Sequence, residues 1–224
     1  MFNPFKFFYE LRWKKAQKAE HDSWKYLWEG ERSKNCQKLI TAEIKKHTFL
    51  IDNLKEIFSL NFSELKNSVI LDVACGPVSY FSRLNLTAVE GIDPLEYPDW
   101  VYKNYLSRNF IVHKTCFEEF RGCDHNYDYI FFYNALQHFM DLSKVSGQCD
   151  RLLKDTGKIY IADYLEIPTD PAHPQFLTKA NLDLLFKNFN VRSFSKKLRL
   201  PGYVEIGSGL PASIYFAEIT RRGN

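Results

Sequence analysis

The chain has 224 residues, of which 45% are hydrophobic and 25% are charged, and its net charge of +3 is small. This length suits one domain with an appendage, and the apolar content is ample for a core. No run approaches the ~20 apolar residues of a membrane span. Residues 1–60 hold twelve Lys and Arg against eight Asp and Glu, so only this segment could supply the basic face that a large nucleic-acid footprint requires.

Five cysteines are present, and no two of them have the CxxC spacing of a zinc or redox site. We therefore expect free thiols in a reducing compartment, and we find no clear set of metal ligands. The N-terminus is aromatic but lacks the basic region and the long apolar stretch of a signal peptide. These features predict a soluble, cytoplasmic protein.

Residues 1–66 are predicted to form a helical extension, with helices at Leu11–Glu29 and Arg32–Leu60. The second helix carries one apolar stripe at alternating steps of four and three. On the first helix, one face is shared by Trp13, Ala16, Gln17, Glu20 and Trp24. Because each of these faces needs a partner surface, we expect the extension to dock on the body as a lid and not to form an independent domain.

The stretch after residue 66 has the order strand, small-residue turn, helix, strand and acid. Val69–Val73 is apolar on both faces and predicts a buried parallel strand. The small residues Ala74 to Gly76 allow close approach of a ligand to the backbone. A second strand at Thr87–Ile92 ends in Asp93, ~20 residues beyond the first strand, where an acid accepts from ribose hydroxyls in nucleotide-binding units.

Five further strands are predicted, at Phe110–Thr115, Tyr127–Tyr133, Lys158–Asp163, Val191–Phe194 and Ser213–Ile219. Helices are expected between them, at Trp100–Leu106, Leu142–Leu153 and Gln175–Asn188, the last with Thr178 as a plausible N-cap. Alternating strands and helices predict an α/β fold. The irregular segment Leu165–Pro174 is a candidate for a substrate-side lid.

The segment Leu71-Asp-Val-Ala-Cys-Gly-Pro resembles the first motif of class I S-adenosylmethionine-dependent methyltransferases of the small-molecule type. That motif is usually Asp/Glu-x-Gly-x-Gly; here Ala74 replaces the first Gly and Gly76 keeps the second. The resemblance extends over Val69–Ile219 and implies a Rossmann-like sheet of about seven strands with helices on both faces, in residues 67–224. The segment Trp13–Trp24 also resembles the N-terminal leader of some bacterial methyltransferases linked to surface glycans.

The resemblance implies S-adenosylmethionine as cofactor and a place for each of its parts. The turn of Ala74, Cys75 and Gly76 would pass under the methionine part, with Asp72 orienting the turn or the amino group. Asp93, with Pro94 beside it, would accept from the ribose. The remaining cofactor residues are Phe117 and Glu118 at the adenine, with Glu119 nearly as good a match, and Asn134 and Ala135 at the methionine end.

His138, which follows the fourth strand, is the preferred catalytic residue. An unperturbed imidazole titrates near neutrality and can accept a hydroxyl or ammonium proton. The alternative is that His138 only orders its loop. The substrate side is expected to include Tyr133, Tyr164, His173, Arg199 and Tyr203.

These residues predict methyl transfer to oxygen or nitrogen of a small polar metabolite or biosynthetic intermediate. A sugar-linked or phosphorylated acceptor fits, with Lys196, Lys197 and Arg199 available for a phosphate. A nucleic-acid methyltransferase is a second hypothesis, although Asn134-Ala-Leu-Gln stands where enzymes that methylate exocyclic amines carry Asn/Asp-Pro-Pro-Tyr/Phe. A silent binding partner that keeps the fold is a third. The oligomeric state stays open.

Overall fold

A computed structural model of the chain describes residues 4–24, 34–199 and 211–223, with the side chains of all but 4–10 and 34–39. Within these ranges the helices are α1 Pro4–Ser23, α2 Lys34–Phe58, α3 Phe62–Leu65, α4 Asp99–Leu106, α5 Val145–Leu152 and α6 Lys179–Leu185. The strands are β1 Val69–Val73, β2 Ala88–Ile92, β3 Phe110–His113, β4 Tyr127–Tyr133, β5 Leu153–Tyr164, β6 Phe189–Leu198 and β7 Ala212–Arg221.

The seven strands form one mixed sheet in the order β3-β2-β1-β4-β5-β7-β6. Strands β1 to β5 are parallel, and β7 is antiparallel to both of its neighbours. The chain order therefore reverses at β1, because β2 and β3 lie on one side of it and β4 on the other. In open sheets of this kind, ligands bind at the carboxyl ends of the strands beside such a reversal.

Each face of the sheet carries its own hydrophobic cluster. On one face, Leu50 and Leu54 of α2 and Val101 of α4 pack against strand residues such as Ile70. On the other, α5 and α6 pack against the side chains that point the opposite way. Successive strand residues point to opposite faces, so β1 is buried on both sides and tolerates only apolar residues along most of its length. The predicted layers are confirmed.

The prediction of a helix between β1 and β2 is wrong. A short 3₁₀ turn, Phe81–Arg83, stands in its place. Pro77 cannot donate a backbone hydrogen bond, and the Ser79 hydroxyl accepts from the backbone N–H groups of Phe81 (3.1 Å) and Ser82 (3.3 Å). Such local bonds compete with a continuing helix. The face that this helix would have covered is covered by α2 instead.

Several predicted boundaries differ from the structure. Helix α1 begins at Pro4 and ends at Ser23, and the predicted portion beyond Trp24 lies outside the described residues. Helix α6 begins only at Lys179, since Thr178 and Asn181 form a reciprocal capping box immediately before it. Strands β5, β6 and β7 are longer than predicted. None of the helices in the described part of the chain is both long and apolar enough to cross a membrane.

A buried carboxylate joins the end of β5 to the segment that follows β4. One oxygen of Asp163 accepts from the backbone N–H groups of Ala135 (3.0 Å) and Leu136 (2.6 Å), and the other accepts from that of Tyr164 (2.8 Å). Both oxygens are thus acceptors, and the side chain is fully buried.

We predict that Asp163→Asn lowers the free energy of unfolding by about 1–3 kcal/mol, because the amide nitrogen would face a backbone N–H in a buried place. Urea denaturation followed by circular dichroism measures this loss. The matched control is Asp155→Asn, whose carboxylate is 90% exposed and whose replacement should change the unfolding midpoint little. Equal midpoints for the two variants would contradict the role given to Asp163.

Candidate active site

An elongated cavity lies between α1 and the carboxyl ends of the parallel strands. Its empty space, including the part open to solvent, is about 720 Å³. One wall is formed by residues that follow β1, β2, β3 and β4, and the opposite wall by one face of α1 together with His47 of α2.

The turn after β1 forms the floor of this cavity. Ala74 (φ +54°) and Gly76 (φ +61°) both have left-handed backbone conformations, which cost an alanine energy and a glycine almost none. A Cβ placed on Gly76 would meet no atom within 4 Å, so the space above this glycine is open to the cavity. The side chain of Cys75 is buried and does not line the cavity. A Cβ added to Gly91 would come within 2.8 Å of the Cys75 sulfur.

Asp72 holds this turn from below. Its Oδ2 accepts from the hydroxyls of Ser79 (2.5 Å) and Tyr133 (2.8 Å). Its Oδ1 is buried without a hydrogen-bond partner among the described residues. Burial is the main cause that raises the pKa of Asp72 to about 7. Asp72 does not line the cavity, so of its two predicted roles the structure supports the orientation of the turn.

Asp93 ends β2 and lines the cavity together with Pro94. Its two carboxylate oxygens accept from the backbone N–H groups of Gly76 (3.0 Å) and Leu95 (2.9 Å). Only 5% of the residue is exposed, and burial raises its pKa to about 6. The carboxylate therefore faces the glycine turn at the place where the sequence predicted it.

The residues after β3 close one end of the cavity. Phe117 is buried against Phe132 and Phe139, with ring centroids 5.3 and 6.1 Å away. Glu118 also lines the cavity, and burial raises the pKa of its carboxyl group. Glu119, the alternative, is exposed and borders neighbouring surface depressions. Of these two acids the structure favours Glu118.

Asn134 forms a second left-handed turn, with φ +54°, directly after β4. Its backbone N–H donates to the carbonyl of Ala162 (2.9 Å), and its side-chain oxygen accepts from Gln137 (2.9 Å). Asparagine tolerates this conformation better than most residues. Asn134 lines the cavity, whereas Ala135 is fully buried behind it.

His138 lines the cavity but has an unusual environment for a base. Its Nδ1 lies 2.9 Å from the carbonyl of Ala172 and 3.4 Å from Oε2 of Glu20. A carbonyl can only accept, so Nδ1 carries the proton and Nε2 is the acceptor, 3.5 Å from the side-chain nitrogen of Gln137. Burial is the main cause that lowers its pKa to about 3. The expectation of a near-neutral titration is therefore wrong, and the imidazole is neutral at physiological pH.

The predicted substrate residues are only partly brought together. Tyr133 lines the cavity, with its hydroxyl held by Asp72. Tyr164 is buried and does not border it. His173 lies behind His138, with ring centroids 4.6 Å apart, and pairs with Asp170. Arg199 is exposed after β6 and does not line the cavity. Tyr203 lies outside the described residues.

The sequence predicted that the N-terminal helices dock on the body as a lid, but it assigned no side chain of α1 to the site. Trp13, Gln17, Glu20 and Trp24 all line it, although the sequence had only placed them on one helical face. The signal was the mixture on that face: two indoles, an amide and a carboxylate make a poor packing stripe and a good ligand surface. Arg12 of the same helix donates to the carbonyl of Pro174 (3.1 Å), which ties α1 to the loop after β5.

His47 of α2 is mainly a packing residue. It is buried, its Nδ1 lies 3.0 Å from the carbonyl of Val78, and its ring packs on Tyr133. It nevertheless also borders the cavity. Among the described side chains, no group of three or more His, Cys, Asp or Glu is arranged to hold a metal ion.

One protein-family model matches part of the chain. The family model described as "Methyltransferase domain" matches residues 71–161, which include the turn after β1, Asp93 and the segment after β4. No curated protein matches the sequence.

Many solved structures share the fold. The Burkholderia thailandensis 1,6-didemethyltoxoflavin-N1-methyltransferase is 16% identical with a TM-score of 0.62, over 98% of this chain and 92% of that one. The YcgJ protein from Bacillus subtilis is 14% identical with a TM-score of 0.61, over 79% of this chain and 100% of that one. The Haemonchus contortus phosphoethanolamine N-methyltransferase 2 is 13% identical (0.61), and the match spans 88% of this chain but only 59% of that one.

These identities establish the shared fold alone, and the family match is confined to residues 71–161. The seven-strand order, the glycine turn after β1 and the acid that ends β2 lie within or beside that match. The chain therefore has the fold of class I, S-adenosylmethionine-dependent methyltransferases, and residues 71–161 match the methyltransferase-domain model.

Proposed function

We propose that this enzyme transfers a methyl group from S-adenosylmethionine to oxygen or nitrogen of a small polar acceptor bound beneath α1. The observation that carries the proposal is the cavity itself. It joins the open space above Gly76, the carboxylate of Asp93, the Phe117–Glu118 end and His138 in one continuous space.

The residues present fit this cofactor. The open space above Gly76 suits a ligand that lies against the turn. Asp93, a buried acceptor, would receive the ribose hydroxyls, and Glu118 with Phe117 would border the adenine. Asn134 would meet the methionine end. The cofactor supplies a methyl group that is already activated on a sulfonium sulfur, so the protein needs only to bind, orient and shield.

Orientation is the main contribution that the chain would make. In favourable cases, holding two reactants in line contributes ~7–11 kcal/mol to lowering the barrier. Helix α1 would act as the lid of residues 1–66, because its face opposes the sheet edge and Arg12 ties it to the loop after β5. His138, neutral and with Nε2 as an acceptor, would accept a hydrogen bond from the substrate.

The cavity favours a small acceptor. It is enclosed between α1 and the sheet edge, as expected for a metabolite and not for a polymer. Two similar structures are named as methyltransferases of phosphoethanolamine and of 1,6-didemethyltoxoflavin. The basic residues Lys196, Lys197 and Arg199 lie on or after the edge strand β6 and do not border the cavity, so they lend no support to a phosphorylated acceptor.

The sugar-linked acceptor and the surface-glycan pathway are proposals that rest on the leader sequence of α1. A cytoplasmic location is likewise proposed, since the four cysteines whose side chains the structure describes are free thiols.

Two measurements test the proposal directly. Titration calorimetry should show binding of S-adenosylmethionine, and incubation with a panel of small amines, alcohols and sugar nucleotides should yield S-adenosylhomocysteine. Binding without turnover of any acceptor would favour the silent binding partner, and an absence of binding would contradict the proposal.

For Asp93 we predict that Asp93→Ala weakens S-adenosylmethionine binding by ~1.5–3 kcal/mol, the usual value of a charge-assisted hydrogen bond. The carboxyl group accepts best when ionised. Since its pKa is raised to about 6, wild-type affinity should fall as the pH drops through about 6, and this fall should be smaller in the variant. Calorimetry between pH 5 and 8 provides the comparison, and unchanged affinity would remove Asp93 from the site.

The two adjacent acids after β3 provide a matched pair. Glu118→Ala should weaken cofactor binding several-fold, because Glu118 lines the cavity, whereas Glu119→Ala should leave it within about twofold. Both variants remove one carboxylate at neighbouring positions, so their difference reports position and not charge. A larger effect at Glu119 would reverse the assignment.

His138 and His173 form a second pair. We predict that His138→Ala lowers turnover ~10²-fold with nearly unchanged cofactor affinity, while His173→Ala, outside the cavity, has a small effect. Because the pKa of His138 is lowered to about 3, it should add no limb to the pH–rate profile between pH 5 and 8. Near-normal turnover of His138→Ala at saturating acceptor would leave His138 as a loop-ordering residue.

A further inference from the structure

The face of α1 runs along the cavity from one end to the other. Trp13 and Gln17 also border a surface depression beside Pro94 and Cys116, where β2 and β3 end. Glu20, further along the helix, lies beside His138, which follows β4. The first two side chains are therefore at the end assigned to the adenosine, and Glu20 with Trp24 is at the end where an acceptor would enter.

Among the described residues, Glu20 forms no ion pair with a lysine or arginine. Its Oε1 accepts from the indole N–H of Trp24 (2.8 Å), and its Oε2 faces His138, which is neutral. Its side chain is only 20% exposed, and burial raises its pKa.

Lys46 pairs with Glu43 on α2, and the imidazole of His173 contacts Asp170. Asp93 adds a further negative charge across the cavity. Among the described residues that line the cavity there is no lysine or arginine, so Glu20 faces a space that would attract a cation.

We propose that Glu20 and Trp24 form the subsite for an organic ammonium group, and that the acceptor is therefore an amine that becomes methylated on nitrogen. This inference rests on the proposed function and narrows its acceptor. A buried carboxylate provides the counter-charge, and an indole face attracts a cation. A phosphate or carboxylate group at this end of the cavity would meet the carboxylate of Glu20.

The reaction requires the amine in its neutral form. The ammonium bound at Glu20 gives one proton to that carboxylate. The freed nitrogen lone pair then forms the N–C bond with the methyl carbon, while the C–S bond breaks and its electron pair passes to sulfur. The products are a methylated ammonium and a neutral thioether, and the proton on Glu20 leaves to solvent when the products dissociate.

A competing role for Glu20 is to face the sulfonium of the cofactor itself. The two roles differ in one respect: S-adenosylhomocysteine lacks the positive sulfur. A Glu20 that faces the sulfonium would discriminate between the two nucleosides, whereas a Glu20 that binds the acceptor would not.

The test compares Glu20→Gln, which keeps an acceptor for Trp24, with Asp22→Asn, which removes an exposed carboxylate from the same helix. Affinities for S-adenosylmethionine and S-adenosylhomocysteine are measured by calorimetry. Turnover is measured with three amines and their hydroxyl counterparts: 2-phenylethylamine and 2-phenylethanol, ethanolamine and ethylene glycol, glucosamine and glucose.

We expect the wild type to methylate at least one amine and none of the hydroxyl counterparts. Glu20→Gln should lower kcat/KM for that amine at least ~10-fold, with both nucleoside affinities within about twofold of wild type, and Asp22→Asn should match the wild type. The inference is overturned if a cofactor-binding wild type accepts only hydroxyl compounds or none of the six. It is also overturned if Glu20→Gln spares amine turnover, or weakens S-adenosylmethionine but not S-adenosylhomocysteine. A wild type that binds neither nucleoside contradicts the proposed function instead.

Discussion

The hydrogen bonds of one buried carboxylate, Asp72, hold the turn on which the active site depends. The turn after β1 contains two left-handed residues, Ala74 and Gly76, and such a backbone persists only where its surroundings hold it. Asp72 accepts from Ser79, beyond the turn, and from Tyr133 at the end of β4. Tyr133 in turn accepts from the backbone N–H of Tyr80 (3.1 Å). The floor of the cavity is thereby fixed to the two central strands.

The second constraint is the position of α1, which forms the cavity wall opposite the sheet edge. The sheet presents only the floor and the two ends of the site, and α1 supplies the remaining side chains. Helix α1 contacts the loop after β5 through Arg12, and the same loop holds His138 through the carbonyl of Ala172. The same loop therefore contacts both α1 and His138. A movement of α1 would shift this loop and with it His138, at the end of the cavity proposed for the acceptor.

Much of the fold followed from local sequence pattern. Strands such as Val69–Val73 and Tyr127–Tyr133 were predicted to the residue, because apolar, β-branched and aromatic runs have few alternatives in a buried sheet. The helix predicted after β1 does not form because the Ser79 hydroxyl competes for backbone N–H groups. Hydrophobic periodicity in the sequence does not reveal that competition. Glu118 and Asp93 were placed correctly at the cavity because residues that follow parallel strands meet at one edge.

Other parts of the site depend on long-range packing that no local pattern encodes. The lowered pKa of His138 comes from burial beneath the loop after β5, and the exclusion of Arg199 comes from the edge position of β6. The sequence predicts that α1 acts as a lid, but its individual side chains were not assigned, since helical spacing shows which residues share a face and not what that face meets.

The central claim is that the cofactor binds between α1 and the sheet edge. Hydrogen–deuterium exchange of the full chain, with and without saturating S-adenosylmethionine, tests it most directly. The account predicts slower exchange in two separate segments, residues 11–24 of α1 and residues 74–80 after β1, while the exposed end of β6 is unchanged. Protection of residues 74–80 without any change in α1 would contradict the claim, because it would mean that the helix does not form the opposite wall of the bound site.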